Sequence, residues 1–470
     1  MPVNSFDDYP MSWKPLKNEL EQPYYLSIAS HLEEDILSGK LPVNTKLPPQ
    51  RELADFLDLN LSTITRAYKL CELKGLLYAV TGKGTFVSPG ISSQDTFLNK
   101  GGGIIEMGII QPFYESNKNV LNTARLVLNN QDSLRLFEYS DPLGTPHQLN
   151  AAAKWLSRLG INASTNNILL SAGAQNALSV ILISLFQAGD KIAVDCFTYT
   201  NFKGLANFLH IQLIAVDTDE YGMRPKSLSF VCRNTNIKGI YLMPTCSNPT
   251  GTFMPQSRRE ELAKLIQRYG LLVIEDDIYS FLSAFAPSAC TVKPFFALLP
   301  EHTIHICSVS KSLCAGLRVA LLAFPDKYRN SLVSGMLHIN LKTVSLNSEI
   351  ITALIENGEA ENIVYEKIML AHRRNQIFYS VFPSSAPKQT ENFFHWLPIP
   401  NGLHSEELEL LALQKGIHVL GSHRFAIQNE NPSSSFVRIS ITSPRTEDEL
   451  KSGLLILKSI FEEKRTEFFV

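Results

Sequence analysis

Along the first ninety residues the apolar positions recur at helical spacing in three short stretches. Over 24–38, Tyr25, Ile28, Ala29, Leu32, Ile36 and Leu37 share one face, and Gly39 closes the run. Pro48 and Pro49 open a second helix that carries Leu53, Phe56 and Leu57 on one side. After a break at 58–61, residues 62–75 make a third, with Ser62 as N-cap and Gly75 as its C-terminal stop. Residues 76–81 and 85–87 then read as two strands around a tip of Gly82, Lys83 and Gly84. Two helices a few residues apart, the second opening on hydroxyl side chains, predict a helix-turn-helix followed by a hairpin.

Beyond residue 88 the pattern is Ser/Gly/Pro punctuation as far as Gly103, which predicts a linker over 89–103 between domains at 13–88 and 104–470. Seven apolar runs then alternate with helix-like stretches: 168–173, 191–195, 211–217, 239–244, 271–277, 303–308 and 319–324. That alternation predicts an α/β fold with a mostly parallel sheet covered by helices, and ligands beyond the carboxyl ends of its strands. From about Pro325 long helical stretches take over, followed by strand-like pieces at 392–400 and 435–441 and a last helix over 446–463. This part predicts a smaller α+β subdomain, completed by residues 104–138.

Composition narrows the class. The 470 residues, 44% hydrophobic and 19% charged, suffice for two or three cores. A net charge of −2 gives no general affinity for nucleic acid, so a DNA-binding role must rest on a local surface. Residues 40–85 supply a modest one, with seven Lys/Arg against four Asp/Glu. Seven scattered cysteines without a C-x-x-C pair argue against zinc and disulfides and fit a reducing cytoplasm. The polar N-terminus lacks a signal-peptide core, and no apolar run approaches membrane-spanning length, so a soluble cytoplasmic protein is expected.

In a helix-turn-helix, Ser62, Thr63, Thr65 and Arg66 would enter the major groove, while Arg51 and the tip with Lys83 and Gly84 would grip phosphates. The wording of the segment is informative: LPPQRELADFL at 47–57, LSTITRAYKLCELKGLL at 61–77 and GKGTFV at 82–87. It closely resembles the winged-helix domain of the GntR regulators. The version with TRAY and GKGTFV is similar to the MocR-type subfamily, which is fused to an aminotransferase-like domain. Leu61 stands where that family often has a basic residue.

The candidate chemistry lies at 306–320. A lysine at the end of a buried strand can lose its proton through desolvation and act as an amine nucleophile. Lys311 sits there, with Ser308 three residues before it and Arg318 seven after, placed to hold a phosphate. The stretch resembles the Schiff-base lysine region of class I aminotransferases, the fold type I pyridoxal 5'-phosphate enzymes. That resemblance implies the cofactor and a set of partners. Ala174 and Gln175 would bind its phosphate, Tyr199 would stack on the ring, and Asn248 in MPTCSNPTG (243–251) would bond its phenolic oxygen with Tyr279. Asp276 would partner the ring nitrogen, with Glu275 and Asp277 structural or solvated. Tyr139 in YSDPLG (139–144) would reach the phosphate of the neighbouring subunit of a homodimer, and Arg438 would pair with a ligand carboxylate. Three positions depart from the family pattern: Ala315 replaces a proline, Asn150 follows Leu149 in place of an arginine, and Ile110-Gln111-Pro112 replaces Gly-x-Pro.

The function so implied is a transcription regulator that binds operator DNA through its head. It would sense an amine or amino-acid metabolite by imine exchange at Lys311. A working aminotransferase with a vestigial or autoregulatory head is the alternative, and a relic site that only dimerises the heads is a third reading.

Overall fold

The computed structural model describes residues 11–38, 40–42, 45–73, 76–80, 84–87, 103–286, 292–383, 391–400, 403–427 and 435–467. The chain separates into two compact units, Met1–Gly103 and Ile104–Val470.

In the first unit, helices Tyr24–Leu37, Gln50–Leu57 and Leu61–Leu73 pack around Ile28, Leu32, Leu53, Ile64, Ala67 and Tyr68, all inaccessible to solvent. Tyr68 takes its hydroxyl into this core because it can donate to the Pro48 carbonyl at 2.9 Å. Trp13 ties the preceding arm down, donating from Nε1 to Asp35 at 2.8 Å. The second helix ends where Asp58 turns left-handed (φ 50°). Ser62 is not the cap of the third helix. That helix begins at Leu61, and the Asn60 side chain accepts from the Ser62 N–H at 3.0 Å. Asn and Ser both make good caps, and here Asn comes first along the chain. Strands Leu77–Val80 and Gly84–Val87 pair antiparallel, from Leu77↔Val87 to Val80↔Gly84. Lys46 bridges to Phe86 on the other edge of that ribbon. The expected stops at Gly39 and Gly75, Gly82 and Lys83 of the tip, and all of the linker but Gly103 lie outside the described residues, whereas Gly84 opens the second strand.

The second unit is built on a seven-stranded sheet in the order Ile168–Ser171, Ala320–Ala323, Thr303–Ser308, Leu272–Asp276, Gly239–Leu242, Lys191–Asp195, Gln212–Val216. Each strand comes from one of the seven apolar runs, which are continuous because helices cover both faces of the sheet. Only Ala320–Ala323 runs antiparallel to its neighbours. It follows Thr303–Ser308 after a short connection, too brief for the crossover a parallel strand requires.

The smaller subdomain begins later than Pro325. Helices Arg329–Asn340 and Ser345–Glu356 place Leu332, Met336, Ile350, Ile351 and Leu354 in the core of the large sheet. The transition falls within the helix Glu359–Val381, whose Ile363 and Ile368 join that core while Phe378 and Val381 join the smaller one. Residues 104–138 are likewise divided. Ile105–Glu106 pairs with Ile417–His418 and Met107 enters the small core, but Ile110, Phe113, Val120 and Val127 belong to the large one. A helical apolar face does not say which of two cores it meets, so the pattern change at Pro325 marked a change of element and not of domain. Strands Phe394–Pro398, Phe436–Ser440 and Leu420–Gly421 and helices Ser405–Gln414 and Glu447–Glu467 complete the subdomain. Among the described residues no helix is long and apolar enough to cross a membrane.

Candidate functional site

The strand Thr303–Ser308 delivers Lys311 on a single helical turn, Val309–Ser312, which the Ser308 hydroxyl caps by accepting from the Ser310 N–H at 3.3 Å. The Lys311 ammonium donates to the carbonyl of Ile110. Burial, with the positive charges of Arg438, Lys367 and Arg318 adding to it, lowers this amine from its ordinary range to about 7. A lysine so placed has a far larger share of neutral, nucleophilic amine at physiological pH than a solvated one.

A cradle for an anion lies alongside. The helix Ala174–Leu185 starts at Gly173 (φ 86°) with no side-chain cap, so the N–H groups of its first turn, at Ala174 and Gln175, are left for a ligand. The Arg318 guanidinium crosses Gly173 so closely that a Cβ there would lie 2.6 Å from its Nη2. The backbone angle requires glycine here, and any side chain would also push the Arg318 guanidinium from its place. Arg318 itself is left-handed (φ 50°) and donates to the Ser310 hydroxyl at 3.2 Å.

At the end of the strand Leu272–Asp276, Asp276 is 3% exposed. Its Oδ2 accepts the Tyr241 hydroxyl at 2.7 Å, while its Oδ1 is buried without a partner. Burial raises this carboxyl to about 6, against the Tyr241 hydrogen bond and with help from the neighbouring Asp277. Tyr199 is half-buried and Tyr279 buried, and both lie within electrostatic reach of Asp276 and Arg438. Burial pushes the Tyr199 phenol up to about 12 and that of Tyr279 well above its usual value, so both remain donors. Glu275 and Asp277 are structural and not solvated. Glu275 accepts from the N–H groups of Phe295 (2.6 Å) and Phe296 (3.0 Å) and meets His305 at 2.8 Å. Asp277 accepts the Thr245 hydroxyl at 2.7 Å.

Arg438 enters from the strand Phe436–Ser440 and is 5% exposed. It donates to Asn248 Oδ1 and to the Gly108 carbonyl, both at 2.6 Å, and its Nε is buried without a partner. Burial lowers its pKa to about 10. With its oxygen held by Arg438, the Asn248 amide keeps its nitrogen as the donor for a ligand. Residues 108–111 thus form a strap across the site. Arg438 holds the Gly108 carbonyl, Ser443 that of Ile109, Lys311 that of Ile110 and Thr442 that of Gln111. Glu106 accepts from the N–H groups of Gly108 (2.7 Å) and Ile109 (2.8 Å).

Lys311, Asp276, Tyr199, Tyr279, Asn248, Arg438, Arg318, Ser308 and the turn at Ala174 and Gln175 therefore gather at one end of the sheet. Tyr139 stands apart. It follows the helical turn Gln131–Phe137 and is 87% exposed, in a surface segment that also exposes Leu134 and Phe137.

The gathered residues fit pyridoxal 5'-phosphate. The unpartnered Asp276 Oδ1 is the acceptor a protonated ring nitrogen needs, and the Gly173 turn with Arg318 suits a phosphate. Three contributors were not anticipated. Tyr241 fixes Asp276, and the strap, though it includes the Ile110-Gln111 departure from Gly-x-Pro, acts through backbone carbonyls that the sequence does not single out. Lys367, fully buried, donates to the carbonyls of Lys311 (3.3 Å) and Leu313. It did have a signal, for it interrupts the apolar face formed by Ile363, Val364 and Ala371.

In the first unit, Arg51, Ser62, Thr65, Arg66 and Gly84 are exposed and Thr63 half-buried. Arg51 and Gly84 line one groove together with Lys46 and Leu61. Thr65 donates to Gln50 at 2.8 Å, which joins the third helix to that groove's wall, and Arg66 lies over the Tyr25 ring at 4.1 Å. Lys83 is outside the described residues.

A mixed seven-stranded sheet with a buried lysine and a buried aspartate at the ends of two neighbouring strands is the arrangement of a fold type I aminotransferase domain, here preceded by a winged helix. Residues 103–454 match the family "Aminotransferase class I and II", and residues 24–87 match "Bacterial regulatory proteins, gntR family". The chain belongs to the MocR-type GntR regulators, in which these two domains are fused. It is 38% identical to YdeF of Bacillus subtilis (strain 168), an uncharacterized HTH-type transcriptional regulator, over 98% of this chain and 100% of that one. It is 23% identical to the HTH-type transcriptional regulator NorG of Staphylococcus aureus (strain N315), over 79% of this chain and 90% of NorG. Among solved structures, kynurenine aminotransferase of Pyrococcus horikoshii shares the fold with a TM-score of 0.72 at 22% identity, over 80% of this chain and 95% of that one.

Proposed function

We propose that this chain is a pyridoxal phosphate-dependent DNA-binding transcription regulator whose larger unit senses an amine or amino acid at Lys311. The observation that carries the reading is a buried lysine at the end of a buried strand, beside an uncapped helix start and Arg318, in the same chain as a helix-turn-helix head. Bound at the site, pyridoxal phosphate supplies an aldehyde for amine capture and an electron-withdrawing ring. The chain supplies the rest. Arg318 and the first turn of Ala174–Leu185 hold the phosphate, with Ser308 ordering the turn beside it. Asp276 keeps the proton on the ring nitrogen, Tyr199 covers the ring, and Asn248 and Tyr279 donate to its phenolic oxygen. Arg438 receives the carboxylate of an amino-acid ligand. The exposed Tyr139 segment suits contact with a second subunit, so the working unit is a homodimer with shared sites, acting in the cytoplasm. A ligand changes DNA affinity only as far as it binds two arrangements of the dimer unequally.

The test is an absorption spectrum of the protein with pyridoxal phosphate, before and after adding each of a panel of amino acids and amines. One compound is expected to shift a Lys311-dependent visible band and to change operator affinity. A band insensitive to every compound would remove the sensing role. A working aminotransferase is the second reading, favoured by the presence of Lys311, Asp276 and Arg438 together. Repeated turnover of an amino acid with a keto acid would establish it.

On the DNA side, Arg66→Ala is expected to weaken operator binding by about 1–3 kcal/mol while sparing non-specific binding. Retardation assays on operator and scrambled duplexes check this, and an equal loss on both would assign Arg66 to phosphate contact alone.

A further inference from the structure

Lys367 stands midway along the helix Glu359–Val381, on its buried face, with no surface accessible to solvent. Its ammonium reaches the two carbonyls that the Lys311 turn leaves open at its C-terminal end, those of Lys311 (3.3 Å) and Leu313. Among the described residues it forms no ion pair with a carboxylate. Cys314 and Glu115 are the groups of opposite tendency within electrostatic reach of it. Burying a cation without a partner costs several kcal/mol. Closing two carbonyls does not require that expense, since a neutral amide would donate equally well. The charge therefore needs a separate explanation, and the amine of Lys311, whose carbonyl Lys367 holds, is among the groups it acts on. The groups facing that amine are Arg438 from the strand Phe436–Ser440, Arg318 from the loop after Lys311, and Lys367 from the long helix. A second cation beside a lysine is a known way of keeping its amine unprotonated.

We propose that Lys367 is a positioning residue for Lys311, fixing its turn through the two carbonyls and using its buried charge to hold the amine in the neutral, nucleophilic form. This builds on the proposed cofactor role of Lys311 but can be measured without the cofactor. Lys367 is itself pushed down to about 8 by burial, so its charge acts most strongly below that pH and fades above it.

The experiment is competitive acetylation of the full-length, cofactor-free protein with acetic anhydride across a pH series, with Lys311 labelling followed by peptide mass spectrometry. Lys367→Gln keeps a donor for the carbonyls and removes the charge, and Lys367→Met removes both. In each folded variant the Lys311 midpoint is expected to rise by about one pH unit, a tenfold change in the protonation equilibrium of its amine. Labelling at pH 7.5 then falls roughly threefold. An unchanged midpoint in either variant, with the melting temperature showing it folded, overturns the proposal and leaves Lys367 a packing residue. A parallel titration of the wild type with pyridoxal phosphate separates the two ideas. If the midpoint shifts as expected but no Lys311-dependent band forms, the cofactor reading fails and the role of Lys367 stands.

Discussion

Lys311→Ala is expected to abolish the visible absorption band that pyridoxal phosphate gives with this protein, while the full-length variant still binds DNA. The first half follows from geometry. Lys311 is brought to the site by the strand Thr303–Ser308 and a capped turn, and its amine is held near neutrality by burial and three cations. The other lysine at the site, Lys367, donates to backbone carbonyls and is held at a fixed place on a helix. It cannot substitute. The second half follows from the division of the chain. The helices and hairpin of 24–87 have their own core, with Ile28, Leu32, Leu53 and Ile64 fully buried inside the first unit. Absorbance and retardation assays on the same preparation check both halves. Loss of DNA binding in a folded variant would refute the separation of roles.

Asp276→Asn is expected to weaken pyridoxal phosphate binding roughly 10- to 150-fold, the effect of a lost hydrogen bond to a charged group at about 1.5–3 kcal/mol. Asn fills the same space but carries no charge to hold a proton on the ring nitrogen. Burial already raises the Asp276 carboxyl to about 6, so at neutral pH it is ionised by a margin of only about one unit. Cofactor binding in the wild type should therefore weaken as pH falls through about 6, where the carboxylate takes up its own proton, and the Asn variant should lose that component and keep the one centred near 7 that the Lys311 amine contributes. Absorbance titrations from pH 5 to 8 would show it. Tyr241→Phe frees Asp276 Oδ2 without removing the charge and should have a smaller effect.

The seven strands were legible because burial on both faces writes each as a continuous apolar run. Asn248 and Lys311 were legible because each stands at a strand end or a turn whose wording is distinctive, whereas Arg438 lies in mid-strand. Other features were hidden for identifiable reasons. Asn60 and Ser62 are equivalent cap formers, and only the backbone settles which one serves. The core that a helix joins depends on its neighbours, so Leu332 and Ile350 were assigned to the wrong subdomain. The partners of Arg438 and Lys311 include the carbonyls of Gly108 and Ile110, and a carbonyl is present at every residue. Lys367 was visible as a charge within an apolar stripe, a pattern easily taken for a solvated edge.

The strap of 108–111 has a thermodynamic consequence for whatever enters. A carboxylate approaching Arg438 meets a donor already occupied by the Gly108 carbonyl, and an aldehyde approaching Lys311 would meet one occupied by that of Ile110. Both occupants are tethered to the chain, so they act as internal competitors at a high effective concentration that no dilution lowers. The apparent affinity of a ligand is then its intrinsic affinity multiplied by the fraction of molecules with the strap released. Each 1.4 kcal/mol of strap closure reduces it tenfold. On the proposed reading, an amino acid would have to displace the Gly108 carbonyl from Arg438, whereas a simple amine would leave it in place, so a segment with no charged side chain of its own would weigh on the choice between the two classes.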